Sequence, residues 1–483
     1  MQVFKKIYIL AMVIVLSACQ SAVISRGYFE ESSGQINEEE FVTSQSFRVG
    51  VLLPLSGEAE KAGQGLKNAA MLALEDMNNP NLILQFYDTK STPEGARVAV
   101  ENAINQQVKL VIGPLMSSSV EAISSRTKRS NIPVIAFSTN QDVLQEQVYT
   151  IGLLIEEQIN RIVGYATSKG RSKFALLLPD NSTGLAVAKA AVKSTKKHGA
   201  TVIRIAFYDP NTNDFSAIIN QLSDFEKRAE PIKKEKERLA ELVKQGDEQA
   251  KTDLKKLSLI ETEEGVDFDA VIIPETGSKL KSATAMFGYY DVFAPDVMFL
   301  GTSVWENTHL NKESTLYKAA YPVLSRSHGA YFNNKYRMLY ETQPNGLFAF
   351  AYDAVALASA LAKRNPTNLD MAITTPDGFA GINGIFRLFE NGKNQHSLDI
   401  MQITPSGDIV IDATPKKFSS VPESLEDIDV SILYDGNPPL IFGKDEVEAQ
   451  KNIFGRELEK AEEEVVDVEE TENTDDSLLM YKY

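Results

Sequence analysis

Three consecutive serines, Ser117, Ser118 and Ser119, stand just beyond the apolar run Val108 to Ile112 and the turn Gly113-Pro114. The run is short and mostly β-branched, so it reads as a buried parallel strand. The residues after it, Val120 to Arg129, carry a helical pattern. Open α/β sheets bind ligands at the carboxyl ends of their strands. Hydroxyls and helix N-terminal amides placed there can hold a carboxylate or a carbonyl. The same serines equally suit plain N-capping, because serine is among the best caps. No catalytic set accompanies them. There is no Gly-x-Ser-x-Gly and no His-Glu-x-x-His. The four histidines, His198, His309, His328 and His396, are scattered near turns. Neither enzyme activity, a metal nor a cofactor is expected.

Cys19 is the only cysteine, which excludes an intramolecular disulfide. Its setting gives it a role. Lys5 and Lys6 precede an uninterrupted apolar run of ten, Ile7 to Leu16, which is a signal-peptide core and too short for a stable membrane span. The run closes with Leu16-Ser17-Ala18-Cys19, which resembles the bacterial lipobox. The resemblance implies cleavage before Cys19 and a diacylglycerol on its sulfur. Gln20 follows rather than Asp, which in enteric-type sorting favours the outer membrane. Residues 1–18 are thus expected to be a lipoprotein signal peptide and 19–46 the lipidated cysteine with a polar tether. Lipid supplies the membrane anchor, and no later segment is expected to span a membrane.

The elements that must position the serines follow in order. Strand and helix alternate four times between Phe47 and Phe137, which is a doubly wound parallel sheet. Gly63-Gln-Gly65 is no dinucleotide fingerprint, since Asn68 replaces the third glycine. The alternation restarts at Ile151 and runs to Ser303 as a second lobe of the same kind. Two such lobes imply a cleft between them, and clefts at domain interfaces bind ligands. The charged stretch 226–264 interrupts the second lobe with 11 acidic and 10 basic residues. Leucines at helical spacing and the turn Gly246-Asp247 make it a projecting helical hairpin. It serves either as a solubilising insertion or as a docking arm. Helices at 331–340 and 347–363 return the chain to the first lobe. Gly378 to Arg387 and Ile400 to Ile411 are expected to pair as a hairpin. Lobe 1 is therefore 47–150 plus 326–379, and lobe 2 is 151–325 plus 380–413. Residues 414–483 are expected to be an acidic, mostly disordered tail with a short helix at Arg456 to Glu464. From Asp445 onward 14 Asp or Glu face 4 Lys or Arg, so much of the net charge of -17 sits there. No basic face is left for nucleic acid.

Val49-Gly-Val-Leu-Leu-Pro-Leu-Ser-Gly57, Val111 to Ser119 and Ile132-Pro-Val-Ile-Ala-Phe-Ser138 resemble the type I periplasmic binding proteins of the leucine-binding kind. Ala351-Tyr-Asp-Ala-Val355 and Gly381-Ile-Asn-Gly-Ile-Phe-Arg387 fit as well, so the likeness covers about residues 47–413. Within that family the lipobox, the insertion, Tyr289-Tyr290-Asp291 and Leu300-Gly-Thr-Ser-Val-Trp305 look most like the penicillin-binding protein activator lipoproteins. The resemblance implies two Rossmann-like lobes and a cleft lined by Ser56, Ser117, Ser118, Ser138, Thr139, Asn140, Asn181, Thr276 and Ser303. Amino-acid-binding members hold the carboxylate and ammonium with a serine matching Ser117 and with groups at Ser138 and Asn140. In the other lobe they usually add aromatic groups and an acid. Asn181, Thr276 and Ser303 fill those places here, with Glu275 and Trp305 as neighbours. An ammonium wants a carboxylate or an aromatic face. Two readings stand: a periplasm-facing lipoprotein that activates a peptidoglycan synthase by contact, or the receptor of an ABC permease for a small neutral or amino-acid-like ligand.

Overall fold

A computed structural model describes residues 46–306, 308–414, 416–418, 428–430, 434 and 437–458. The expected signal peptide, Cys19 and nearly all of the tether lie outside them, as does the chain beyond Leu458.

The first lobe is built on β1 (Phe47–Leu53), β2 (Leu82–Asp88), β3 (Leu110–Ile112), β4 (Val134–Ala136) and β5 (Val148–Thr150). They pair in the order β2-β1-β3-β4-β5, all parallel. Helices α1 (Glu60–Met77), α2 (Pro93–Asn105) and α3 (Ser117–Arg129) make the crossovers. β1, β3, β4 and β5 are buried almost throughout and accordingly mostly apolar, whereas the edge strand β2 is only partly buried and carries Gln85 and Asp88. The glycines of α1 serve packing. A Cβ on Gly63 would lie 1.9 Å from the Pro54 carbonyl oxygen, and one on Gly65 would lie 2.0 Å from the Phe348 ring.

The second lobe contains α4 (Ile155–Ser168), β6 (Lys173–Pro179), α5 (Ser182–Lys197), β7 (Thr201–Tyr208) and α6 (Ser216–Ser223). The inserted residues form α7 (Phe225–Lys244) and α8 (Glu248–Leu257), a helical hairpin turned at Gly246, whose φ is +92°. Asp247 caps α8 by accepting from the N–H groups of Gln249 and Ala250. The lobe continues with β8 (Ala270–Ile272), α9 (Gly277–Tyr289), β9 (Met298–Leu300) and β10 (Ala320–Leu324).

Two helices then return to the first lobe, α10 (Arg326–Tyr340) and α11 (Gly346–Arg364), followed by the short α12 (Leu369–Ile373). Among the described residues α11 is long and apolar enough to cross a membrane, against the expectation that no later segment is. It is mostly buried, because it is the core helix of the first lobe and packs along α1.

Two further expectations are corrected. Gly378–Arg387 and Ile400–Ile411 do not pair with each other. β11 (Phe379–Gly381), β12 (Gly384–Leu388) and β13 (Asn394–His396) form a separate antiparallel sheet. Phe386 and Leu388 bury this sheet in the first lobe's core. β14 (Leu398–Gln402) and β15 (Ile409–Asp412) instead pair with each other and extend the second lobe's sheet beyond β10.

The stretch after 414 is not uniformly a solvated tail. Leu440–Phe442 forms β16, parallel to β7, and α13 (Glu446–Phe454) packs on α5. The second sheet therefore runs β15-β14-β10-β9-β8-β6-β7-β16. Gly455, with φ +78°, ends α13 after Phe454, and the helix expected at Arg456–Glu464 lies outside the described residues except for 456–458, which are not helical. Ala449, Ile453, Phe454 and Leu458 supply the apolar face that holds α13.

Candidate functional site at the strand ends

The loops that follow β1, β3 and β4 in one lobe, and β6, β8 and β9 in the other, carry the expected site residues. The strands run parallel, so these loops share the carboxyl edge of each sheet.

In the first lobe, Ser56 is committed to structure. Its hydroxyl donates to Asp88 Oδ2 at 2.6 Å, while Asp88 Oδ1 accepts from the N–H groups of Leu55, Ser56 and Lys90. Burial alone would raise this carboxyl. The Ser56 hydroxyl and the three N–H groups outweigh it and hold Asp88 below the usual carboxylate range. Ser91 completes the loop by donating to the Ser56 carbonyl at 2.9 Å. Sequence reasoning missed Asp88. The signal was a carboxylate closing the second strand.

Ser117 is different. The residue that caps α3 is Met116, which makes no side-chain bond, so Ser117 is the first residue of the helix rather than its cap. Ser117 is half-buried, Ser118 exposed and Ser119 fully buried. Among the described residues the Ser119 hydroxyl has no hydrogen-bond partner, which is costly for a buried polar group. Ser138 is buried, its hydroxyl accepts from the Asn140 N–H at 3.1 Å and its carbonyl accepts from the Thr150 hydroxyl. Thr139 and Asn140 are exposed, and Asn140 Oδ1 accepts from the Asp142 N–H at 2.9 Å.

In the second lobe, Asn181 caps α5, its Oδ1 accepting from the Gly184 N–H at 3.0 Å. Thr276 is exposed at the start of α9 and its N–H donates to Glu275 Oε1 at 2.9 Å. The Ser303 N–H donates to Oε1 of buried Gln158 at 2.8 Å. Beside it Thr302 is buried, and its hydroxyl has no partner among the described residues. The two neighbours named from sequence are both occupied. Glu275 Oε2 accepts from the Tyr208 hydroxyl at 2.8 Å, and the indole N–H of fully buried Trp305 donates to the Glu275 carbonyl at 2.8 Å. Burial, then the Glu275 carboxylate, push the Tyr208 hydroxyl far above its ordinary range. Among the described residues, Ser138 and Asn140 alone of the nine expected residues are hydrogen-bonded to each other. No hydrogen bond links any of the nine across the lobes among the described residues.

The segments that cross between the lobes are tied together by the small sheet. Asn394 donates to the carbonyls of Thr150 and Gly152, and His396 Nε2 lies 2.9 Å from the Ile151 carbonyl. The Ser397 hydroxyl accepts from Ile385, and Ser325 donates through its backbone to Asn383. Lys393 and Glu156 form a mostly buried ion pair at 2.7 Å. Burial pulls His396 down to about 4, so it is neutral at pH 7. Burial also pushes the Asp353 carboxyl on α11 up to about 7, although its Oδ1 accepts from the Ile382 N–H. Among the described residues no group of His, Cys, Asp and Glu could hold a metal ion.

The fold is that of the type I periplasmic binding proteins. The periplasmic binding protein profile matches residues 46–227, which bears out the likeness read from the motifs. The penicillin-binding protein activator LpoA of Pasteurella multocida is 26% identical over 171 residues, 35% of this chain and 29% of that protein. Leu/Ile/Val-binding protein homolog 3 of Brucella melitensis is 22% identical over 36% of this chain and 50% of that protein. A Rhodospirillum rubrum crystal structure, assigned to branched-chain amino acid ABC transport, superposes with a TM-score of 0.61 at 16% identity. It covers 76% of this chain and 100% of that one, and shows the shared fold alone. The chain spans about half the length of most curated relatives it matches.

Proposed function

We propose that this chain is a non-enzymatic lipoprotein, anchored through Cys19 to the outer membrane and facing the periplasm, that activates a peptidoglycan synthase by contact. One observation carries the reading. Glu275 and Trp305, the acid and the indole beside Thr276 and Ser303, are bound to Tyr208, to Thr276 and to each other, and Asp180 in the loop after β6 is paired with Lys444. An amino acid's ammonium would have to compete with one of these existing partners for a carboxylate. The similarity to LpoA and the α7–α8 hairpin support the same reading.

The test titrates the chain from residue 28 onward against a bifunctional class A penicillin-binding protein and follows glycan and peptide cross-linking rates. A saturable rise is expected. Replacing residues 230–260 by a short Gly-Ser linker should reduce that rise while leaving the unfolding midpoint in place. No rise with any such synthase of the same organism would overturn the reading.

The second reading is a solute receptor of an ABC permease for branched-chain amino acids or amides. The side-chain-uncapped start of α3, with Ser117 and the unpartnered Ser119 hydroxyl, favours it. Under it, an amino-acid panel raises the melting temperature, and Ser117→Ala with Ser138→Ala removes the rise.

A further inference from the structure

Phe418 falls in the stretch expected to be a solvated tail, yet the centre of its ring lies 4.3 Å from the guanidinium carbon of buried Arg387. The chain on either side of it is fixed to the second lobe. Before it, the Thr414 N–H donates to Asp399 Oδ1 beside Leu398 on β14, at 2.8 Å. After it, Val430 and Tyr434 are buried in the second lobe's core, and the Tyr434 hydroxyl accepts from the Val202 N–H at 3.0 Å.

Arg387 is rooted in the other lobe. It lies on β12 between Phe386 and Leu388, which are buried in the first lobe's core. Its Nη1 donates to the Pro376 carbonyl, just past α12, at 3.2 Å, and its Nε donates to Gln395 Oε1 on β13 at 2.9 Å. The residue is 3% exposed. A charge taken out of water needs partners. An aromatic face attracts a guanidinium, and more strongly where water is excluded. Phe389 offers one such face at 5.4 Å, from the same small sheet. Phe418 offers a second, and it is the ring that comes from the second lobe.

Another tie runs alongside. Lys393, in the turn between β12 and β13, pairs with Glu156 in the first turn of α4 at 2.7 Å. Lobes change angle when a few residues in the crossing segments absorb the rotation. Contacts whose two ends are rooted in different lobes oppose that rotation.

We propose that Phe418 is a latch. Seated on Arg387, it holds the second lobe at one angle to the first, and the lobes change angle when the ring leaves. The Lys393–Glu156 pair reinforces it. The latch governs motion and stands whichever partner or ligand the protein takes.

The experiment uses the chain from residue 28, which contains every described residue and no cysteine. Glu121→Cys on α3 and Lys189→Cys on α5, both exposed, therefore place one spin label on each lobe. Double electron–electron resonance reads the distance between them. One narrow distance is expected in the parent. Phe418→Ala should raise the share of chains outside that peak about fivefold or more, as the loss of a desolvated cation–aromatic contact implies. Phe418→Tyr keeps the aromatic face and should keep the narrow peak. Phe418→Leu keeps the apolar bulk without that face and should broaden the peak, which serves where Phe418→Ala lowers the unfolding midpoint. Several distances in the parent, a peak left narrow by both Phe418→Ala and Phe418→Leu, or a Phe418→Tyr peak as broad as that of Phe418→Ala would each overturn the proposal.

Discussion

Asn181 and Ser117 each stand at the carboxyl end of a strand where a helix begins, and only one of them caps it. Asn181 binds the Gly184 N–H, whereas Ser117 sits one place inside its helix behind Met116. The residue types were legible in the sequence. Which side chain would cap was not, because it depends on a one-residue offset in where the helix starts. The Ser56–Asp88 bond was not legible either, since it joins residues 32 apart through the pairing of β1 with β2. A third residue carries a prediction. Asp353 has its carboxyl raised by burial, so the folded state holds that proton more tightly than the unfolded chain does. Its favourable contribution is full below about pH 4 and is lost as pH rises to about 7. A shift of that size corresponds to roughly 4 kcal/mol. Asp353→Asn cannot ionise. Its melting temperature should match the parent near pH 4 and exceed it by several degrees at pH 8. A difference that does not change with pH would show that Asp353 is not held in this way.

At the scale of elements, the parallel strands were legible because burial on both faces demands continuous apolar runs, as in Lys173–Pro179 and Ala270–Ile272. The hairpin was legible from leucine spacing. Its root was not. Arg228 donates to the carbonyls of Ser223, Tyr290, Asp291 and Glu264 and to the Thr262 hydroxyl, so it fastens the insertion to the loop after α9. A deletion that keeps Arg228 and Thr262 therefore tests the arm without loosening the lobe. The exposed pairs along α7 and α8, such as Glu230–Lys234 and Asp253–Lys256, add little stability. β16 and α13 were missed because composition beyond residue 445 is dominated by acids, and Pro438-Pro439 ahead of Leu440 reads as a loop. The apolar spacing Ala449, Ile453, Phe454 was the available signal. Phe454→Ala should cost about 3 kcal/mol, as burying an aromatic ring in a packed interface implies. Urea unfolding measures it, and a loss under about 0.5 kcal/mol, the range of a surface change, would mean that α13 does not support the lobe.

Taken as a whole, the molecule is two α/β lobes joined by three crossing segments, with β11–β13 hydrogen-bonded to all of them. That clamp was legible only in part, because Gly378–Arg387 reads as one strand but turns at Ile382-Asn383 into β11 and β12, and Asn394 and His396 of β13 carry no strand pattern. The two functional readings differ at this scale. An activator that works by contact has no need to close on a small ligand. Under that reading, X-ray scattering should give the same radius of gyration with and without saturating leucine, isoleucine or valine. A contraction on adding any of them would favour the solute receptor. The edge strand Leu440–Phe442 has a further consequence, one of timing. Its partner β7 is made long before it, yet the groove between β7 and α5 is filled only when residues 440–458 arrive. A chain synthesised from its amino end therefore keeps the second lobe unfinished until residues 440–458 have been made.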